Sequence, residues 1–258
     1  MFVTTAGRTN ESMIAEAKKV AEDLGIEYIS RQKRAVFTLQ TMNEDDCIVV
    51  GKERLEMFPY GDEKPFFFHP NSSMFRLKRL IAGKNDPFID ACQLKIGSKV
   101  LDCTLGLASD SIVASYVVGN EGKVVGIEGN SFIAYIVQNG LHTWETTIPE
   151  IDAALKRIEV INQSALNYLK SLDTRSFDCV YFDPMFEETI LESDGIKGLT
   201  KFALYEDITE ELLSHAKRVA KDRVVLKDHY KSERFAEFGF HVLKRKTAKF
   251  HYGILQIR

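Results

Sequence analysis

The 258-residue chain is poor in the features that mark specialised protein classes. Its four cysteines, Cys47, Cys92, Cys103 and Cys179, include no Cys-x-x-Cys pair, and its six histidines show no metal-ligand spacing. Reduced core thiols are therefore expected, with no disulfide framework and no metal. No apolar run approaches the roughly 18–20 residues of a membrane span. The opening Met1-Phe2-Val3-Thr4-Thr5 has no basic region followed by an apolar stretch, which predicts a cytoplasmic protein without a membrane partner. With only 16 glycines and 6 prolines, collagen-like, mucin-like and disordered architectures are excluded.

What remains is the composition of an ordinary globular protein, 45% hydrophobic and 28% charged. A chain this long buries about 70–75% of its surface, enough for one large domain or a main domain with an appendage. The net charge of −3 is unevenly spread. Residues 1–98 balance to zero, residues 99–220 carry −9 and residues 221–258 carry +6. Arg76, Lys78, Arg79 and Lys84 form a further basic stretch with no acid among them. Such patches suit either a solvated face or a nucleic-acid partner.

Hydrophobic periodicity predicts an α/β protein. Residues 1–70 read as a small α/β appendage: a strand at Phe2 to Ala6, a helix capped by Asn10 with Met13, Ala17, Val20 and Leu24 on one face, and Gly25 as its stop. Extended segments are expected at Ala35 to Leu39, Cys47 to Val50, Leu55 to Phe58 and Phe66 to His69. Residues 71–98 read as a helical connector. From residue 99 to 258, strands and helices alternate as in a Rossmann-like, mostly parallel sheet with helices on both faces. Strands are expected at 99–103, 124–128, 158–162, 178–182 and 223–227, with helices at 109–118, 131–144, 150–156, 165–171 and 206–220. The pair Phe240 to Lys246 and Lys249 to Ile257 lies too close in sequence for a crossover and reads as an antiparallel hairpin.

In an open parallel sheet ligands bind beyond the carboxyl ends of the strands, so the residues ending each strand carry the information. The first ends in Asp102-Cys103-Thr104-Leu105-Gly106-Leu107-Ala108-Ser109-Asp110. A dinucleotide would need Gly-x-Gly-x-x-Gly and a helix start free of acids, whereas this turn has one glycine between two aspartates that would repel pyrophosphate. The pair suits a ligand with a cationic end, such as the ammonium and sulfonium of S-adenosylmethionine. Glu128, ending the second strand, is placed to bind both ribose hydroxyls. Asn162-Gln163-Ser164, after the third strand, falls where an adenine ring would lie, although turns use the same residue types.

Asp183-Pro184-Met185-Phe186 follows the fourth strand. Proline fixes the backbone there, so the Asp183 carboxylate and the Pro184 carbonyl are expected to converge on one donor group while Phe186 stacks on a base. Two acceptors holding the hydrogens of an exocyclic amine would turn its lone pair towards a methyl donor. His229 reads as a surface residue paired with a neighbouring acid, and residues 187–200 read as a loop over the catalytic turn.

Asp102-x-Thr104-x-Gly106-Leu107-x-x-Asp110 together with Asp183-Pro184-Met185-Phe186 resembles the class I methyltransferases related to RsmJ, the small-subunit ribosomal RNA guanine-N2 methyltransferase. The likeness extends to the aromatic stretch ending at His69, the basic helix from Arg76 to Arg79, and Val224-Val225-Leu226-Lys227. Val3-Thr4-Thr5-Ala6-Gly7-Arg8 resembles the opening of one RsmJ-like branch. The resemblance implies methyl transfer to RNA, with Asp102, Thr104, Gly106 and Glu128 at the cofactor and Asp183 to Phe186 at the target base. The residues themselves add Asp110 and Ser164 to the cofactor set and make Asp183, Pro184 and Phe186 the catalytic set. Ala108 stands where the family turn has a second glycine, and Glu187 replaces the proline after Asp-Pro-Met-Phe. The acidic Glu187-Glu188 pair leaves a protein side chain or small molecule open as acceptor, and the basic tail leaves open an RNA-associated module without turnover.

Overall fold

Short apolar strands followed by amphipathic helices build two α/β units in the computed structural model, which describes residues 1–62, 64–184, 202 and 207–257. One unit comprises Met1–His69 with Ser131–Gly140, and the other comprises Pro70–Asn130 with 141–184 and 207–257.

In the first unit β1 (Phe2–Thr5) lies between β2 (Glu27–Tyr28) and β3 (Cys47–Val50) and parallel to both, while β4 (Leu55–Phe58) pairs antiparallel with β3. Helix α1 (Glu11–Leu24) starts as expected: the Asn10 side chain accepts the Met13 N–H at 2.9 Å. It ends at Gly25, whose φ of 65° is the left-handed conformation that glycine adopts without strain. Ala35 to Leu39 is not extended. It opens helix α2 (Val36–Asn43), in which Leu39 and Gln40 are buried and the Gln40 amide donates to the Phe58 carbonyl. Val, Phe and Thr favour strands locally, but burial of one helical face overrides that preference. The strand expected at Phe66 to His69 reduces to a single bridge between Phe66 and Met57, consistent with Pro65 and Pro70 at its borders, which have no N–H to donate. Residues 131–140 form the first turns of α6 (Ser131–Thr143). Tyr135 donates to Asp23 at 2.8 Å, and Gly140 lies so near Phe68 that a Cβ there would meet its ring at 2.3 Å.

The second unit begins with α3 (Asn71–Ile81) and α4 (Pro87–Cys92). Alternation follows: β5 (Lys99–Asp102), α5 (Ser109–Val118), β6 (Lys123–Glu128), α7 (Pro149–Lys156), β7 (Glu159–Asn162), α8 (Ala165–Ser171), β8 (Phe177–Phe182), α9 (Glu210–Val219) and β9 (Ala220–His229). A short α10 (Arg234–Glu237) and the strands β10 (His241–Leu243) and β11 (Phe250–Gln256) complete it. Among the described residues these strands form a seven-stranded sheet in the order β10-β11-β9-β8-β5-β6-β7. Strands β5 to β9 are parallel, and β10, β11 and β9 pair antiparallel, giving the expected terminal hairpin. Helix α5 packs against α3 and α7, and α8 against α9.

Continuous burial of Val224, Val225 and Leu226, and of Cys179 to Phe182, is what a sheet covered on both faces requires. The chain runs outward from β5 through β6 to β7, then returns to the opposite side of β5 for β8 and β9. That reversal opens a crevice beyond the carboxyl ends of β5 and β8.

Candidate active site

Register brings the strand ends together: Asp102 pairs with Tyr181 on one side and Gly126 on the other, and Glu128 pairs with Asn162. The β5–α5 turn is held by backbone bonds from Cys103 N–H to Tyr181 and from Leu105 N–H to Ile127, both 2.9 Å. At Gly106 the backbone is left-handed and a Cβ would meet nothing within 4 Å, so the turn presents open backbone there. Ala108 is also left-handed, with φ of 59°. An L-residue is strained here by about 1–2 kcal/mol relative to glycine.

Asp102 is buried. One carboxylate oxygen accepts the Thr104 N–H at 3.0 Å and the other accepts the Ser111 hydroxyl at 2.7 Å. Both donors are neutral. Burial therefore pushes the Asp102 carboxyl up to about 7, against those hydrogen bonds and with help from the nearby Asp110 and Asp183 charges.

Asp110 has the opposite environment. Arg76 donates to one of its oxygens at 2.5 Å, and Tyr181 and Lys227 approach the other at 2.9 and 3.4 Å. Although burial opposes ionisation, Lys227 and Arg76 hold this carboxyl well below the usual range. Arg76 is itself gripped by both oxygens of Asp86 at 2.7 and 2.8 Å, and Asp86 caps α4 through the Phe88 N–H. The expectation that Arg76 belongs to a solvated or phosphate-binding basic face is thus corrected: it points inward, while Lys78, Arg79 and Lys84 are exposed.

Asp183, just past β8, donates its N–H to the Thr104 hydroxyl at 2.6 Å, and one of its carboxylate oxygens lies 2.5 Å from the Lys227 ammonium. The Thr104 hydroxyl also lies 3.4 Å from Asp102, so it joins the β5 turn to the β8 turn. Burial raises the Asp183 carboxyl to about 6; Lys227 opposes the rise and Asp110 adds to it. Pro184 is buried beside it. Met185, Phe186 and the loop expected at 187–200 lie outside the described residues.

At the other end of the crevice Glu128 is half-buried, with one oxygen accepting the Asn130 N–H at 2.9 Å. The Asn162 amide donates to the carbonyls of Glu128 and Gly129. Ser164 caps α8 by accepting the Asn167 N–H at 3.3 Å, which leaves its hydroxyl hydrogen available for a ligand. His229 packs against the rings of Tyr230 and Phe250, with centroids 4.6 and 6.2 Å away.

Sequence reasoning did not assign Lys227, Tyr181, Tyr252 or the inward role of Arg76. For Lys227 and Tyr181 the signal was an ionisable residue bordering or within an apolar run, Val224-Val225-Leu226-Lys227 and Val180-Tyr181-Phe182. Among the described residues no three or more of His, Cys, Asp and Glu are grouped to hold a metal ion, and no helix is long and apolar enough to cross a membrane.

The chemistry of this donor set fits S-adenosylmethionine. Among the described residues no cation hydrogen-bonds to the buried Asp102, Gly106 exposes backbone beside it, and Glu128 stands where the next strand ends.

Comparison with known proteins agrees. The family model of SAM-dependent methyltransferases matches residues 32–252. A Bacillus subtilis protein, YpiP, is 48% identical over 99% of both chains. Ribosomal RNA small subunit methyltransferase J of Legionella pneumophila is 25% identical over 87% of this chain and 86% of its own. A SAM-dependent methyltransferase structure from Neisseria gonorrhoeae shares the fold, with a TM-score of 0.63 at 17% identity over 99% of this chain and 96% of that one. Matched over most of its length by the family model, and carrying strand ends suited to the cofactor, this chain belongs to the SAM-dependent methyltransferases.

Proposed function

We propose that the enzyme methylates an exocyclic amine of an RNA base, guanine N2 of small-subunit ribosomal RNA being the acceptor that its relatives suggest. The observation that carries this reading is the placement of Asp183-Pro184 directly beyond β8, tied to the β5 turn through Thr104. Asp102, Thr104, Gly106, Glu128 and Ser164 would hold S-adenosylmethionine, which supplies an electrophilic methyl group when bound. Asp110 supports the same turn from within.

Asp183 accepts an N–H of the acceptor and orients the nitrogen lone pair away from the carboxylate. The amine needs no prior deprotonation, since its nitrogen becomes acidic as the new bond forms and its proton passes to Asp183 late. A carboxylate held near 6 is ionised at neutral pH and basic enough to take that proton. Pro184 and Phe186 complete the proposed acceptor site.

Two surface features of the same unit support RNA as the partner. Phe75 is 65% exposed on α3, with the Arg79 guanidinium 5.9 Å above its ring and Lys78 beside it. At the end of β9, Tyr230 is 49% exposed, lies 6.2 Å from the His251 ring and carries the Lys231 ammonium over its face. Aromatic rings with adjacent cations stack bases and hold phosphates.

The deciding experiment incubates the enzyme with labelled S-adenosylmethionine and RNA, protein and small-molecule fractions of a strain lacking it. Label in RNA, mapped to a guanine amine, is expected. Label only in protein or small molecules would transfer the reading to those acceptors, and label in none would leave a cofactor-binding module.

A further inference from the structure

Five charged side chains from five segments form one chain of alternating sign beneath the β8 turn: Asp86, Arg76, Asp110, Lys227 and Asp183. Successive contacts are 2.7, 2.5, 3.4 and 2.5 Å. The chain starts at a helix cap and ends at the carboxylate placed at the acceptor. Lys227 is its last cation. Its stem rises from β9 between the buried Leu226 and Asp228, opposite Tyr252 of β11, and its ammonium sits between two carboxylates. The far one, Asp110, is immobilised by Arg76 and Tyr181, so the ammonium has a fixed seat.

We propose that Lys227 is a positioning residue: it fixes one oxygen of Asp183 and leaves the other to accept a single N–H from the acceptor. The proposal rests on the reading of Asp183 as the acceptor contact. It also deepens that reading. A carboxylate with one oxygen committed matches the amino group of a planar base, whereas a guanidinium, which binds both oxygens in a fork, is poorly matched. The site is thereby biased away from arginine side chains.

Charges facing Asp183 are Lys227 from β9, Asp110 from α5, which also lies within side-chain hydrogen-bond reach of it, and Asp102 from β5, with Arg76 of α3 and the phenols of Tyr181 and Tyr252 behind them. Removing the cation and removing the neighbouring anion should therefore move the Asp183 titration in opposite directions. A side chain that merely filled space would move neither.

The test follows the Asp183 carboxyl by carbon-13 NMR, assigned through its loss in Asp183→Asn, in the full-length enzyme and in Lys227→Met, Lys227→Arg and Asp110→Asn. Loss of an adjacent opposite charge shifts a carboxyl by about 1–3 pH units. Lys227→Met should raise the midpoint by at least about one unit on that basis, Asp110→Asn should lower it, and Lys227→Arg should stay near the parent. In the two Lys227 variants the acid limb of kcat on the RNA acceptor should follow the same order while KM for S-adenosylmethionine holds. An unmoved midpoint in Lys227→Met overturns the proposal. If that variant does not fold, Lys227→Gln decides in its place: a raised midpoint supports the role and an unmoved one overturns it. Full transfer by Asp183→Ala would instead sink the acceptor reading, whereas lost transfer by Asp183→Ala with an unmoved Lys227→Met limb sinks only the role of Lys227.

Discussion

Asp102 and Asp110 flank the same turn, are both buried, and have opposite electrostatic fates. Asp110 is surrounded by cations supplied by the chain and is ionised at any ordinary pH. Among the described residues Asp102 is met by the Thr104 N–H and the Ser111 and Thr104 hydroxyls, with no cation, so burial raises its carboxyl to about 7. Burial alone does not set the behaviour of a carboxylate; the presence of a counter-charge does. The same division separates the two halves of the crevice. On the β8 and β9 side the charges are satisfied internally and form a rigid support. On the β5 side Asp102 is met by neutral donors, which leaves it suited to a cationic ligand.

The strongest way to break this comparison is at Asp183. Asp183→Ala should abolish most transfer, and Asp183→Asn should lower turnover on the order of 10²–10³-fold, as for loss of one preorganised electrostatic partner. Cofactor affinity measured by calorimetry should stay near the parent value in both. A comparable loss of cofactor affinity would erase the proposed division of the crevice. Next in size, Glu128→Ala should weaken S-adenosylmethionine binding by about 1–3 kcal/mol, the scale of hydrogen bonds to a charged group. Turnover at saturating cofactor should change less.

A finer effect comes from Asp102. A cationic ligand prefers the ionised carboxylate, so affinity should fall as pH drops through about 7, by up to about tenfold per unit below the midpoint. Because the folded pKa is raised, the folded protein holds the extra proton between the ordinary carboxylate range and about 7. Ligand-free stability should therefore decline as pH rises across that window. Asp102→Asn should flatten both dependences between about pH 6 and 8, the two units around the midpoint. Dependences that persist in this variant would place the titrating group elsewhere. The smallest effect is expected from charge removal at Lys244, Arg245 and Lys246, which are exposed beyond β10. Each lost phosphate contact should reduce the logarithmic salt slope of RNA binding by about 0.7–0.9, and an unaltered slope would leave these residues as ordinary surface.

The parallel sheet was legible because Val224 to Leu226 or Cys179 to Phe182 declare buried strands without reference to anything distant. Strand-end residues were legible for the same reason, since topology forces Asp102, Glu128 and Asp183 to one edge. Helix α2 was not, because Val36, Phe37 and Thr38 carry a strand preference that only tertiary packing overrules. Nor was the inward turn of Arg76. Its partner Asp110 lies 34 residues away and the Lys227 contact with Asp110 spans 117, so no local pattern distinguishes Arg76 from the exposed Lys78 and Arg79 beside it. Periodicity reports which face is apolar, but not which buried cation meets which buried anion.

That long separation also sets a timetable for the newborn chain. At a synthesis rate of about 5–20 residues per second, the 117 residues from Asp110 to Lys227 take roughly 6–23 s to add. Throughout that interval Asp110 has Arg76 but lacks its second cation, and Asp183 emerges before the lysine that will hold it. Central strand β9 is still missing. The proposed acceptor site is therefore complete only once β9 has been added and has docked, so a product that stops short of Lys227 should be inert.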